Sequence, residues 1–449
     1  MADVTTIDEA AAPYLAQFAV AEASLPGAAA PWLGELRRSA IGRFAETGLP
    51  NARMEDWRFT DLRRMARTTF ADAQAEAAPD LDWIAPWHLD GPCHRLVFAN
   101  GRFVPRHSDI GTLPPGVRLQ PLADAVSEDP GFLEPEFTRG SARVGGSLVD
   151  LNTAMTRDGL VLRLDRGVAL DAPVQLIHVA IAPDDPVALH PRVLVVAEDG
   201  SRASVFETYL GVGNRPYWTN AVAEITVGRD ARIAHHKLQQ ESAAGYHTGF
   251  NRVTVDQGGS YSGFVMSLGA RLARTEIRVA LDGEYASCRI DGTSLLRGRQ
   301  HGDITTEIDH RVANGRSRQT FKNVLDGHSR SVFQGRVVVQ RDAQKTDAGQ
   351  SNRNLLLSPG AEADSKPELR IFADDVKCSH GATVGELDKH SLFYLQSRGI
   401  GADEARGLLI EGFVAELIDD VEQPAVAAQL RRALDGWLAA AREGARQAA

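Results

Sequence analysis

Cysteine is scarce in this 449-residue chain: Cys93, Cys288 and Cys378 are the only three, and they lie far apart. An odd, dispersed set excludes a disulfide framework and fits a reducing compartment. Basic excess is missing as well. Lys+Arg 49 against Asp+Glu 59 leaves a net charge of −10, and no cluster stands out that could neutralise nucleic-acid phosphates. No apolar run approaches the roughly 18 to 20 residues that a membrane helix requires. The opening MADVTTIDEAAAPYLAQF has acids where a secretory leader needs bases, so no signal peptide is expected and the reading is cytoplasmic.

Several catalytic signatures are also absent. The dipeptide Gly-Lys does not occur, which excludes a P-loop ATPase. Gly211 and Gly213 are followed by Pro216, where a dinucleotide loop needs glycine. His-Glu-x-x-His, Cys-x-x-Cys and Gly-x-Ser-x-Gly are all missing. Adjacent His235 and His236 would point to opposite faces of a strand and could not share a metal. Cys288 shares a face with Ala286 and Ile290, as a packed core thiol does.

What is present is apolar material for a large core: 43% hydrophobic residues with 24% charged. PWLGELRRSAIGRFAETGLP predicts a helix with Pro31 in its first turn and Gly48 and Pro50 as its stop. Met54, Trp57, Leu62 and Met65 in MEDWRFTDLRRMAR read as buried anchors. HRLVFANGRFVP predicts a hairpin turning at Asn100-Gly101. After Val144 short strands dominate. Ile277, Val279 and Leu281 share one face, as do Ile304, Thr306, Ile308 and His310. Turns are expected at Asp282, Asp291, Asn314 and Asp326, each followed by glycine. No repeat motif is visible, yet so many strands without helices need their edges managed by a barrel, a sandwich or a stacked solenoid.

The end turns helical again. Asp388 is a plausible N-cap, Gly399 a stop and Pro424 a helix start. Leu408, Leu409, Phe413, Leu417 and Ile418 form the expected apolar stripe of the penultimate helix.

The stretch VKCSHGATVG puts Cys378 two residues before His380. In a strand, Asp374, Val376, Cys378, His380, Ala382 and Val384 share a face, expected to be buried in a core or under a partner. Thiolate and imidazole both suit iron, zinc or copper(I). Two ligands do not complete a tetrahedral site, so a metal reading needs further ligands from outside the chain. A pair that merely packs is the competing reading.

At this point the chain resembles a known family. QSNRNLLLSPGAEADSKPELRIFADDVKCSHGATVGELDKHSLFYLQSRGI, supported by EDWRFTDL, is similar to the SufB/SufD family of the SUF iron–sulfur cluster assembly machinery. Ser379 and Gly381 flank His380, where the SufB side typically has glutamates, which favours the SufD side. The resemblance implies a mainly β fold: a right-handed parallel β-helix core over 96–387 between an N-terminal helical domain, 1–95, and a C-terminal helical domain, 388–449. It implies a scaffold subunit without its own catalytic site, pairing with SufB through the β-helix and docking the SufC ATPase through the C-terminal helices near Phe413 and Leu417. Cys378 and His380 would face SufB and meet iron or the nascent cluster there, with a role in iron acquisition. A reduced flavin in the complex and pairing of the isolated chain with itself are further implications, with no cofactor held tightly by this chain alone. Two alternatives are a brace without a ligand role and a carbohydrate-active β-helix enzyme. The latter lacks the stacked carboxylates it needs.

Overall fold

The computed structural model describes residues 5–73, 80–141, 146–182, 184–213 and 215–448. Its centre is a parallel β-solenoid of about eight turns, in which successive strands alternate between two facing sheets. One sheet, here sheet A, runs through Gly159–Leu164, Arg192–Ala197, Tyr217–Val227, Gly245–Val255, Leu272–Leu281, His301–His310, Arg330–Val339 and Glu362–Ile371. The other, sheet B, includes Arg202–Val212, Arg232–Gln239, Ser260–Ser267, Ser287–Leu296, Arg316–Leu325, Asp347–Leu356 and Lys377–Gly385. Leu272, His301 and Arg330 are Cα partners in consecutive turns, one step every 29 residues. The repeat is therefore one of geometry. Stacking needs only alternation and corners at the right interval, which explains why no sequence motif recurs.

Period-two patterning puts Val253, Ile277, Val279, Leu281, Ile304 and Ile308 between the sheets, in one core with Cys288 and Ile290. Each such aliphatic side chain contributes about 1.5–3 kcal/mol by leaving water. Thr306 and His310 point inward as expected and are buried. The outer faces are apolar too, because helices cover both. Trp218, Tyr246 and Leu272 on sheet A pack under the N-terminal helices and the helix Gly146–Met155. Phe206, Leu238, Phe264 and Val324 on sheet B pack under Ala402–Asp419 and Pro424–Ala448. Strands covered on both faces read as near-continuous apolar runs.

Most local expectations hold. Pro31 starts the helix Pro31–Thr47, and Gly48, at φ 67°, closes it. Asn100 and Gly101 turn the hairpin with φ of 48° and 69°. Asp388 caps the helix Lys389–Ser397 by accepting from the N–H groups of His390 and Ser391. Two expectations fail. Asp291-Gly292 lies inside the strand Ser287–Leu296, where a Cβ on Gly292 would come within 2.8 Å of Phe321; the glycine makes room for a ring rather than a turn. Leu408 is 42% exposed, and the buried stripe of its helix is Ala405, Ile410, Val414, Leu417 and Ile418. No helix among the described residues is long and apolar enough to cross a membrane.

Candidate functional site at the open end of the solenoid

The last strand of each sheet has a neighbour on one side only. In the final strand of sheet B, the N–H of Lys377 donates to the carbonyl of Thr346 at 2.8 Å. In a parallel ladder a residue turns its N–H and C=O to the same side, and the next residue turns them to the other. The backbone groups of Cys378, His380, Ala382 and Val384 therefore point to the free edge. The same argument applies to sheet A. Glu362 donates to Ser329 and Phe372 to Val339, so Ala363, Ser365, Leu369 and Ile371 present free N–H groups. Pro367 shares their parity and has none to present, which is where an edge strand tolerates proline.

The side chains of Cys378, His380, Ala382 and Val384 stack on the inward-facing Ala348, Gln350, Asn352 and Asn354 of the preceding turn. The expected shared face is thus real, and it continues the solenoid interior. It is largely uncovered. Val376 and Cys378 are half-buried against Val337, Val339 and Ala348, whereas His380 and Ala382 are exposed and Val384 is 53% exposed. Among the described residues no further turn lies over them.

Partial burial raises the Cys378 thiol above its ordinary value, so the thiol is protonated at neutral pH until a metal or cation stabilises its anion. Beneath His380, the amide of Gln350 is 4% exposed and has no hydrogen-bond partner on either atom. One turn deeper, Gln319 accepts from Thr306 at 2.6 Å. Among the described residues no group of three or more His, Cys, Asp or Glu side chains could hold a metal ion. Cys378 and His380 supply at most part of a coordination shell.

The N-terminal stretch EDWRFT lies against the outer face of sheet A beside this end. Glu55 pairs with Lys366 and Asp56 with Arg336, which also binds Glu307 and Glu368. Trp57 stacks under Arg274, whose guanidinium carbon is 4.2 Å from the ring centroid. Two stretches about three hundred residues apart in sequence are thus joined at one place.

Of the residues expected to serve a partner, Leu417 is 3% exposed and Phe413 is partly buried. Both anchor the helix Ala402–Asp419 on sheet B, with Lys322 Nζ 5.4 Å from the Phe413 ring. The exposed apolar groups nearby are Phe393 at 71%, Tyr394 at 56% and Leu408 at 42%.

A buried polar cluster deeper in the solenoid escaped the sequence reading. Glu207 accepts from Tyr209 and lies 2.5 Å from His235 Nε2. Glu241 accepts from Thr219 and Gln239, and lies 2.8 Å from His247. Lys237 sits between them, 4.5 Å from the Tyr209 ring centroid. Burial alone would push the Glu207 carboxyl up, but the hydrogen bond and charge of His235 hold it low. His178, stacked between Phe98 and Tyr209, is pushed down to about 4 by burial. The only signal in the sequence was the polarity of inward positions, and its partners lie a full turn apart.

Comparison with known proteins bears on what such an end serves. Residues 179–413 match the family model described as SUF system FeS cluster assembly, SufBD core domain, and residues 8–176 match the SufBD protein N-terminal region. An iron–sulfur cluster assembly SufBD family protein of Synechocystis is 31% identical, with 88% of this chain and 89% of that protein aligned. The iron–sulfur cluster assembly protein SufD of Escherichia coli is 30% identical, over 84% of this chain and 87% of that protein. The chloroplastic protein ABCI7 of Arabidopsis thaliana is 30% identical, over 90% and 86%.

Proposed function

The chain belongs to the SufBD family of iron–sulfur cluster assembly proteins, and on that premise we propose that it is a non-ATPase scaffold subunit whose open solenoid end pairs with a SufB-type subunit. Its role in SUF iron–sulfur cluster assembly follows from the family. The pairing rests on one observation: the last turn leaves the interior face of Cys378, His380, Ala382 and Val384, and the backbone groups beside it, without a covering turn. Two such ends set together would continue both sheets and bury what is now bare.

In this reading Cys378 and His380 form half of a site shared across the interface. Iron or the nascent cluster, as cargo, would draw its other ligands from the partner. The cargo's positive charge would stabilise the Cys378 thiolate, which partial burial otherwise disfavours. Gln350, unpaired and directly beneath His380, is placed to orient the imidazole.

The C-terminal helices would carry the ATPase subunit, SufC. Phe393, Tyr394 and Leu408 offer the apolar contact, while Phe413 and Leu417 tie the same helical region to sheet B. A pull on those helices would then reach the solenoid through these two anchors.

The test is cluster assembly in cells that depend on this chain, with Cys378 and His380 both replaced by Ala. The expected result is an intact three-subunit complex with depressed cluster assembly. Loss of the complex itself would favour a brace without a ligand role, and normal assembly would overturn the shared site.

A further inference from the structure

The helix Pro424–Ala448 lies across the corners of the solenoid, and between them is a cleft of about 480 Å³. That is within the range of roughly 300–1,000 Å³ typical of small-molecule sites. Its walls include Arg271, Arg297, Arg299 and Trp437, with Leu268 and Ala440 as apolar surface. Arg271 and Arg299 come from adjacent corners: the N–H of His301 donates to the carbonyl of Arg271, which stacks one corner on the other. Adjacent rungs lie about 4.8 Å apart, so guanidinium groups from two of them can each hold one of two linked anionic groups.

Several corner arginines elsewhere meet acids of an adjacent turn, as Arg166 meets Asp199, Arg202 meets Asp171 and Arg311 meets Asp282. Among the described residues Arg271 and Arg299 have no such partner, and no acid lines the cleft. Arg297 is fixed by donating to the carbonyl of Trp437 at 2.5 Å and by stacking 4.5 Å from its ring centroid. Burial pushes its guanidinium down, and Asp326, which opposes that push, is turned to Ser358 and the N–H of Gly327. Trp437 is 6% exposed and its indole N–H is buried without an acceptor. Cations thus gather on one space in a chain of net charge −10.

We infer that this cleft binds a small organic anion with two neighbouring charged groups, of the class of a nucleoside diphosphate. The charged groups would span Arg271 and Arg299. The organic part would cover Leu268 and Ala440. A bare inorganic anion would leave most of the volume and the apolar wall unused. Arginine forks match phosphoryl oxygens, like carboxylates, in a bidentate way.

The test is calorimetric titration of the purified full chain with ADP and, separately, with inorganic pyrophosphate. Micromolar ADP binding is expected, with pyrophosphate at least tenfold weaker. Replacing Arg271 and Arg299 together by Ala should weaken ADP binding at least tenfold. An unchanged urea midpoint for that variant confirms that the fold is intact. No ADP binding up to 1 mM, equal binding of pyrophosphate, or undiminished binding by the double arginine variant would each overturn the proposal.

Discussion

Ala382→Pro separates pairing by the solenoid end from folding of the chain. The N–H of Ala382 points to the free edge and makes no ladder bond within the chain, so proline there removes nothing the monomer uses. Pro367 already occupies a position of the same parity in sheet A. The cost to the isolated chain should stay under about 1 kcal/mol. The cost to a partner strand is larger. One hydrogen bond is lost, about 1 kcal/mol net, and an acceptor on the partner is left buried and unpaired, about 1–3 kcal/mol more. Together these are about 2–4 kcal/mol, or roughly a 30- to 700-fold weaker Kd. Thr383→Pro is the control. Its N–H is committed to the neighbouring strand by the register Arg353 to Thr383, so it should lower the urea midpoint of the chain itself. Sedimentation or surface-binding measurements against the SufB-type subunit read the first effect, and denaturant titration the second. Wild-type affinity for a folded Ala382→Pro chain would refute pairing through this edge.

Two further outcomes follow from the interior. His178 titrates at about 4 in the folded chain, against 6.5 when free of burial. Its depressed value means the unfolded chain binds the proton first, so its contribution is complete above about pH 6.5 and is lost as pH falls toward 4. That contribution is on the order of 3 kcal/mol at most. The urea midpoint should fall over this window, and His178→Phe, which keeps the stack on Phe98 and Tyr209, should flatten the fall; an unchanged slope would show that His178 does not drive it. Leu417→Ala should lower global stability by about 2–5 kcal/mol and speed proteolysis around residues 386–402. Little change in either would mean that the helix Ala402–Asp419 is not held by this anchor.

Much of the fold was legible because its causes are local. Pro31, Asn100-Gly101, Asp388 and the alternation of Ile277, Val279 and Leu281 act within a few residues, through a fixed φ, a left-handed turn, a capping carboxylate or a pleat. What was not legible depends on partners one turn away. Asp291-Gly292 has the chemistry of a turn, but Phe321, in the next turn of the solenoid, decides its use. Leu408 fits a helical stripe by spacing, yet the sheet meets a different side of that helix. The Glu207, His235 and Lys237 cluster comes together only once the register is set.

The candidate site divides in the same way. Strand parity alone placed Cys378 and His380 on one face, and ligand counting showed that two donors are too few. That the face is the bare end of a solenoid, with Gln350 unpaired beneath it and free N–H groups beside it, required the stacking order. The link between EDWRFT and this end, through Glu55 with Lys366 and Asp56 with Arg336, could not be read from either stretch.

The central claim is that Cys378 and His380 hold cargo at a shared interface. The most direct measurement is iron and acid-labile sulfide per complex after anaerobic reconstitution of the purified three-subunit assembly. It compares wild type with the variant in which Cys378 and His380 are both Ala. The shared site predicts that both complexes form with equal stability and that the variant retains little iron and sulfide. Equal iron and sulfide in the two would contradict it.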